Sequence, residues 1–282
     1  MRSSLTRVLE HLVANITVRG APIAVLLIFG SAPSEAQFNG ALRIAWSDCR
    51  GTGGQALETF ACNTNATNAV TQHALVSSCI APDGLTSLAS AEMLIEVYLR
   101  DPATPVPWWQ LGGDGCRPPA NRVVSYTNPT DAGCFDYWNK IAGGANGLAT
   151  YTYPSGVCCI PGLYPCYARL SCAVSVDPLS TQSTTPTGTD LYLATIVIKN
   201  GSTESCGGCQ IPACIAFTYC RLGQSNGVDV EYNDLAFQRG APNQVAWQDP
   251  SACELGPDIP IPTCYPTQTR ATSWGAIKAI YR

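Results

Sequence analysis

Apolar and polar positions alternate with a period of two over several stretches of the chain. Leu42, Ile44 and Trp46 fall on one side of the first. Met93, Ile95, Val97 and Leu99 share a side of another, with Glu96, Tyr98 and Arg100 opposite. Successive side chains of a strand point to opposite faces, so both stretches read as half-buried strands. Residues 191–199 are rich in Ile, Val and Thr, which suit a pleated surface. Over 213–222 the alternation sets Ile215, Phe217, Tyr219 and Arg221 against Cys214, Ala216, Thr218 and Cys220. Residues 72–80, 148–153, 167–176 and 228–232 show the same pattern more weakly. Turn-forming clusters at 51–54, 82–84, 128–130, 143–144 and 226–227 separate these segments.

Many short strands with irregular connections predict an all-β fold, an antiparallel β-sandwich of immunoglobulin-like or jelly-roll-like type. Helix is scarce. Residues 135–141 have room for one or two turns. The clearest helical stripe is the last, where Trp274, Ile277 and Tyr281 recur at helical spacing behind Ser273, a candidate N-cap. Residues 271–282 are therefore expected to be a short C-terminal helix docked on the domain, or else a sorting tail.

Composition supports a folded domain. The 282 residues are 46% hydrophobic and 13% charged, and 25 Gly and 21 Pro argue for turns over long helices. The formal net charge is −4, with no basic run of the kind a phosphate backbone requires, so nucleic acid is not an expected partner. Residues 1–36 read as a secretory signal peptide. Arg2, Arg7 and Arg19 precede an apolar stretch at 21–30, and Ser34-Glu35-Ala36 offers small residues for cleavage before Gln37. The apolar stretch is short for a bilayer, and no membrane span is expected after cleavage.

All 15 cysteines follow that site. In an exported protein they serve as staples, and the expected location is secreted or at the cell surface. Cys49, Cys62, Cys116, Cys134, Cys206, Cys209, Cys214, Cys253 and Cys264 are read as structural. Short closures order little chain, so local pairs are expected: Cys49 with Cys62, Cys116 with Cys134, and Cys253 with Cys264. Cys206-Gly207-Gly208-Cys209, followed by Cys214, has three readings. A redox pair needs a helix start to lower the thiol pKa, but Gln210-Ile211-Pro212 and a strand pattern follow instead. Half a zinc knuckle has this spacing but lacks an obvious second half. A structural cluster, in which one of the three cysteines pairs locally and the others reach elsewhere, is favoured. No metal site and no cofactor are assigned.

Pro105-Val106-Pro107-Trp108-Trp109-Gln110 is the candidate ligand-binding surface, because adjacent strand residues face opposite ways and an exposed indole suits a sugar ring or a protein. The competing reading buries both Trp108 and Trp109. His73, the one histidine after the leader, sits in a strand pattern and reads as structural, and no catalytic residue is assigned. Glu96, Asp136, Asp229 and Glu231 are the carboxylates from which a hydrolase pair could be drawn. Asp229, Glu231, Asn233 and Asp234 match no EF-hand spacing and read as a solvated strand face.

Several patches carry a resemblance: Leu42-Arg43-Ile44-Ala45-Trp46 running to Asp48-Cys49, Phe60-Ala61-Cys62-Asn63-Thr64-Asn65, Pro107-Trp108-Trp109-Gln110 with Cys116-Arg117, Cys206-Gly207-Gly208-Cys209 with Pro212-Ala213-Cys214-Ile215, and Trp274-Gly275-Ala276-Ile277-Lys278 with Tyr281-Arg282. In these the chain resembles a group of cysteine-rich secreted bacterial proteins to which no activity is assigned. Cys158, Cys159, Cys166 and Cys172 look like additions to that pattern. A looser similarity runs to cohesin-like and immunoglobulin-like sandwiches, an analogy of fold alone. Three functions are weighed: a non-catalytic structural or adhesion protein, which is favoured, a carbohydrate-binding module using Trp108 or Trp109, and a secreted hydrolase with paired carboxylates. A surface glycan or a protein is the expected partner class.

The leader makes the first prediction. N-terminal sequencing of exported protein should begin at or near Gln37, and a membrane-bound product that retains residues 1–36 would contradict it.

Overall fold

The computed structural model describes residues 41–66, 72–99, 106–113, 115–127, 133–141, 144–152, 166–177, 188–227, 229–233 and 241–254. All belong to one of the two units into which the chain divides, Gln37–Arg282. The leader, the C-terminal stripe of Trp274, Ile277 and Tyr281, and Cys158, Cys159 and Cys264 lie outside the described residues.

Eleven strands are described: β1 (Leu42–Trp46), β2 (Leu57–Glu58), β3 (Gln72–Ile80), β4 (Leu88–Leu99), β5 (Arg122–Ser125), β6 (Asn146–Thr152), β7 (Cys166–Ser175), β8 (Asp190–Lys199), β9 (Ala213–Gln224), β10 (Asp229–Asn233) and β11 (Gln244–Trp247). They form a disulfide-rich β-sandwich. The small sheet runs β1-β3-β8-β5, and the large one β2-β11-β9-β4-β7-β6, with β10 alongside β9. Strand pairs are antiparallel except β2 with β11. The expected turns at 135–141 reduce to one 3-10 turn, Trp138–Lys140. Among the described residues no helix is long and apolar enough to cross a membrane.

The alternations read from the sequence become the two inner faces. Leu42 and Ile44 of β1 pack with Leu75 of β3 and Ile196 and Ile198 of β8. Met93, Ile95, Val97 and Leu99 of β4 meet them from the large sheet, beside Ile215 and Phe217 of β9. Burying such side chains contributes about 1.5–3 kcal/mol each.

On β9 the alternation changes face halfway along. Leu94 of β4 pairs with Tyr219, but Ile95 pairs with Phe217, so Thr218 is an extra residue on β9. A bulge opposes two residues to one and reverses every side chain beyond it. Ile215 and Phe217 therefore face the core before it, and Cys220 and Leu222 after it, while Tyr219 and Arg221 turn outward. The uniform alternation expected over 213–222 is corrected here. Similar shifts fall at Leu193 on β8 and Tyr167 on β7.

Contacts tie the two sheets together along both sides of the sandwich. Trp46 N donates to Gln55 O, and Ile44 N to Pro242 O, which joins β1 to the β2–β11 side. On the other side Tyr126 Oη donates to Leu148 O at 2.6 Å, and the Arg122 guanidinium stands over the Tyr151 ring. Gly147 is required there, since a Cβ would lie 2.1 Å from the Tyr126 ring.

Candidate functional site

The residues that stood out in the sequence converge at one end of the sandwich, where β1, β8 and β11 end and β3 and β9 begin. Trp108 and Trp109 sit in a 3-10 turn, Pro107–Trp109, which Pro107 suits because its φ is already fixed. Trp108 stacks on Trp247 with centroids 4.7 Å apart, and Trp109 meets Trp108 edge-on at 4.8 Å. Trp46 and Phe60 pack on Trp247 at 5.7 and 5.0 Å. The indole nitrogens are mostly spent inward: Trp46 Nε1 donates to Ala246 O, Trp247 Nε1 to Cys209 O, and Trp108 Nε1 to Thr203 Oγ1.

Arg117 enters this cluster from the loop after Trp109 and is 0% exposed. Its guanidinium lies 4.1 Å from the centre of the Trp108 ring. Nε donates to Gly201 O at 3.1 Å, Nη1 to Trp108 O at 3.0 Å, and Nη2 to Lys199 O. Burial lowers its pKa to about 10. Three carbonyls and a ring face are what a buried guanidinium needs in place of water. His73 is held in the same way: Nδ1 lies 2.8 Å from Glu58 Oε1, Nε2 lies 3.1 Å from Asn200 Oδ1, and the ring packs on Phe60 and Trp247.

Three disulfides fasten the chain around this cluster, and a fourth, from Cys49, ties the loop after β1 to the segment that meets the start of β8. Their partners lie far apart in the chain. Cys62 joins Cys209, Cys116 joins Cys206, Cys49 joins Cys134, and Cys214 joins Cys253. The local pairs expected from Cys49–Cys62 and Cys116–Cys134 are corrected, and Cys253 pairs with Cys214 in place of Cys264. The reason is topological. Strand pairing brings the loop after β2, the loop after Trp109 and the loop after β8 to the same end, so cysteines 147 and 90 residues apart meet with Cα atoms 5.8 Å apart. Long closures also restrict the unfolded chain more than short ones. Cys206 and Cys209 thus go to different partners, so the Cys206–Cys209 spacing is neither a redox pair nor half a zinc knuckle. Of the three, Cys214 has the nearest partner along the chain, Cys253 at 39 residues, while Cys206 and Cys209 reach 90 and 147 residues away.

Trp108 and Trp109 are 0% and 1% exposed. A sugar platform needs a ring facing solvent, and neither ring does. They close the end of the core, so the competing reading of the sequence describes them.

The outer face of the large sheet carries the side chains that remain for contact. Register lines them up in rows. Leu148, Ala173, Glu92, Arg221 and Glu231 run across five strands, and Thr150, Ser171, Leu94 and Tyr219 lie beside them. Thr152, Arg169 and Glu96 form a third row. Leu148 is 49% exposed. Arginines hold the acids: Arg169 Nε donates to Glu96 Oε1 at 2.8 Å, Arg221 Nε donates to Asp229 Oδ2 at 2.9 Å, and Glu231 lies 3.7 Å from Arg221. Tyr98 Oη also donates to Glu96 Oε2. Burial and the acids Glu231 and Glu92 push the Tyr219 phenol well up. Of the four candidate carboxylates, Glu96, Asp229 and Glu231 share this face. Asp136 does not: it accepts from Asn139 N at the start of the Trp138 turn. Among the described residues no cluster of His, Cys, Asp and Glu has the geometry to hold a metal. The rows were missed in the sequence because they depend on register, although the polar set opposite Met93 and Ile95 was a partial signal.

No family model and no curated protein matches the chain. Among solved structures the chain is similar to two cohesin modules, each at a low TM-score. One is a cohesin module of a family 33 glycoside hydrolase from Clostridium perfringens, with 8% identity over 74% of this chain and 94% of that one, at a TM-score of 0.28. The other is the second type II cohesin module of the ScaA scaffoldin of Acetivibrio cellulolyticus, with 11% identity over 73% and 96%, also at 0.28.

Arg117→Met tests the cluster. It keeps an apolar stem but strands the carbonyls of Trp108 and Lys199. The expected loss in urea denaturation is about 3 kcal/mol or more. Arg117→Lys should lose nearly as much, because an ammonium lacks the planar fork. A wild-type midpoint for either variant would contradict the role assigned to Arg117.

Proposed function

We propose that the chain is a non-catalytic structural or adhesion module acting outside the cytoplasm, and that it presents the outer face of its large sheet to a protein partner. The observation that carries this reading is the division of labour between the two regions. Trp46, Phe60, His73, Trp108, Trp109 and Arg117, which the sequence singled out, are used inward together with Trp247, to close one end of the core. What faces out across five strands is a broad surface of Leu, Ala, Ser and Thr bordered by arginine–carboxylate pairs. A flat face of this chemistry suits another protein surface, since it mixes apolar area with satisfied charges at a rim. Its acids lie in ion pairs with arginines, and Glu96 is buried, which is a poor setting for the hydrolase reading. The buried indoles likewise offer little to the glycan reading. Four long-range disulfides suit an oxidising compartment.

The test is a binding isotherm of the exported full chain on purified envelopes of the source cells, alongside turnover assays on polysaccharides. Saturable binding is expected, weakened roughly tenfold or more by the paired change Ser171→Arg and Ala173→Arg at an unchanged melting temperature. Binding that ignores this pair would contradict the assigned face. Polysaccharide turnover abolished by Glu96→Gln would replace the reading with the hydrolase.

A further inference from the structure

Cys79 and Cys220 are buried and unbonded, one on each sheet. Both point into the core: Cys79 follows Leu75 and Ser77 on the inner face of β3, and Cys220 stands just past the bulge on β9. Two cross-sheet contacts bracket them. Ser77 Oγ lies 3.8 Å from the sulfur of Met93, and Met93 is the register partner of Cys220. On the other side Tyr232, which pairs with Cys220 through β10, donates from Oη to Ile80 O at 3.2 Å, next to Cys79. The Cys79 thiol is near enough to help raise the pKa of Cys220.

We infer that Cys79 and Cys220 are joined in the exported protein as a fifth disulfide, an inter-sheet bond at the end of the sandwich opposite the tryptophan cluster. A disulfide donor of the oxidising compartment, R–S–S–R, is the co-reactant. The thiolate of one cysteine attacks a donor sulfur and releases one RS⁻. The thiolate of the other attacks the mixed disulfide and releases the second. The two cysteine protons end on the two leaving thiolates, so two RSH form as two electrons pass to the donor. Burial raises the Cys220 pKa well above that of a free thiol. The thiolate is the reacting species, so exchange belongs to the stage of folding before the sheets close. Afterwards the same burial keeps reductants away. Ten of the 15 cysteines are then paired, and the odd thiol lies among Cys158, Cys159, Cys166, Cys172 and Cys264.

Full-length chain exported into an oxidising compartment is denatured in acid with an alkylating reagent, digested without reduction and mapped by mass spectrometry. A peptide containing Cys79 linked to one containing Cys220 is expected. Recovery of either cysteine alkylated, or linked elsewhere, overturns the inference. If the four other pairs are found intact in that same digest, the extracytoplasmic reading survives while this inference falls. A second readout uses Cys79→Ser, Cys220→Ser and the double variant. Each single change should release one additional thiol on denaturation, and all three should share one lowered denaturation midpoint. Losses that add in the double variant would show two independent thiols and overturn the bond.

Discussion

A guanidinium with no exposed surface costs several kcal/mol unless its N–H groups find oxygens and its faces find something better than a void. Arg117 meets both demands only where four separate pieces of chain arrive together. The turn at 107–109 supplies the Trp108 ring and carbonyl, the end of β8 supplies Lys199 O, the loop after it supplies Gly201 O, and β11 supplies Trp247 to back the stack. If any one is displaced, a charge is left buried and unpaired. The arrangement therefore works as a register lock. It tolerates one relative placement of the two sheets at this end, and the Cys62–Cys209 and Cys116–Cys206 bonds hold the loops that build it.

The outer face depends on that lock indirectly. The small sheet stays over the large one, so Met93, Ile95, Val97 and Leu99 point inward, and their neighbours Glu92, Leu94 and Glu96 are committed to the outside. The Thr218 bulge then brings Tyr219 and Arg221 to the same side, which extends the face across β9 to β10. A single inserted residue thus decides both where Cys220 points and what the outer surface displays.

Much of this was legible. β1 and β4 alternate cleanly because one of their faces is apolar, and period-two patterning reports just that, while β3 alternates more weakly and β8 is marked by its Ile, Val and Thr content. β11 gave no such signal. All four residues of Gln244–Trp247 are buried, so nothing alternates. The bulge at Thr218 was hidden because Cys, Ala and Thr fit either face. Partner choice among the cysteines was illegible for a different reason, since it follows from which loops the strand order gathers at one end. The same holds for Trp108 and Trp109: adjacent aromatics announce importance, and only their neighbours decide whether they face a ligand or a core.

A register lock of this kind requires the Arg117–Trp108 cluster to be as stable as the strands it joins, although it is built from loops. Native-state amide hydrogen exchange measures this directly. Trp108 N, bonded to Gly207 O, and Arg117 N, bonded to Gln110 O, should exchange only through global unfolding, with the same opening free energy as the central amides of β4 and β9. Exchange of those two amides through a local opening, while β4 and β9 remain protected, would contradict it.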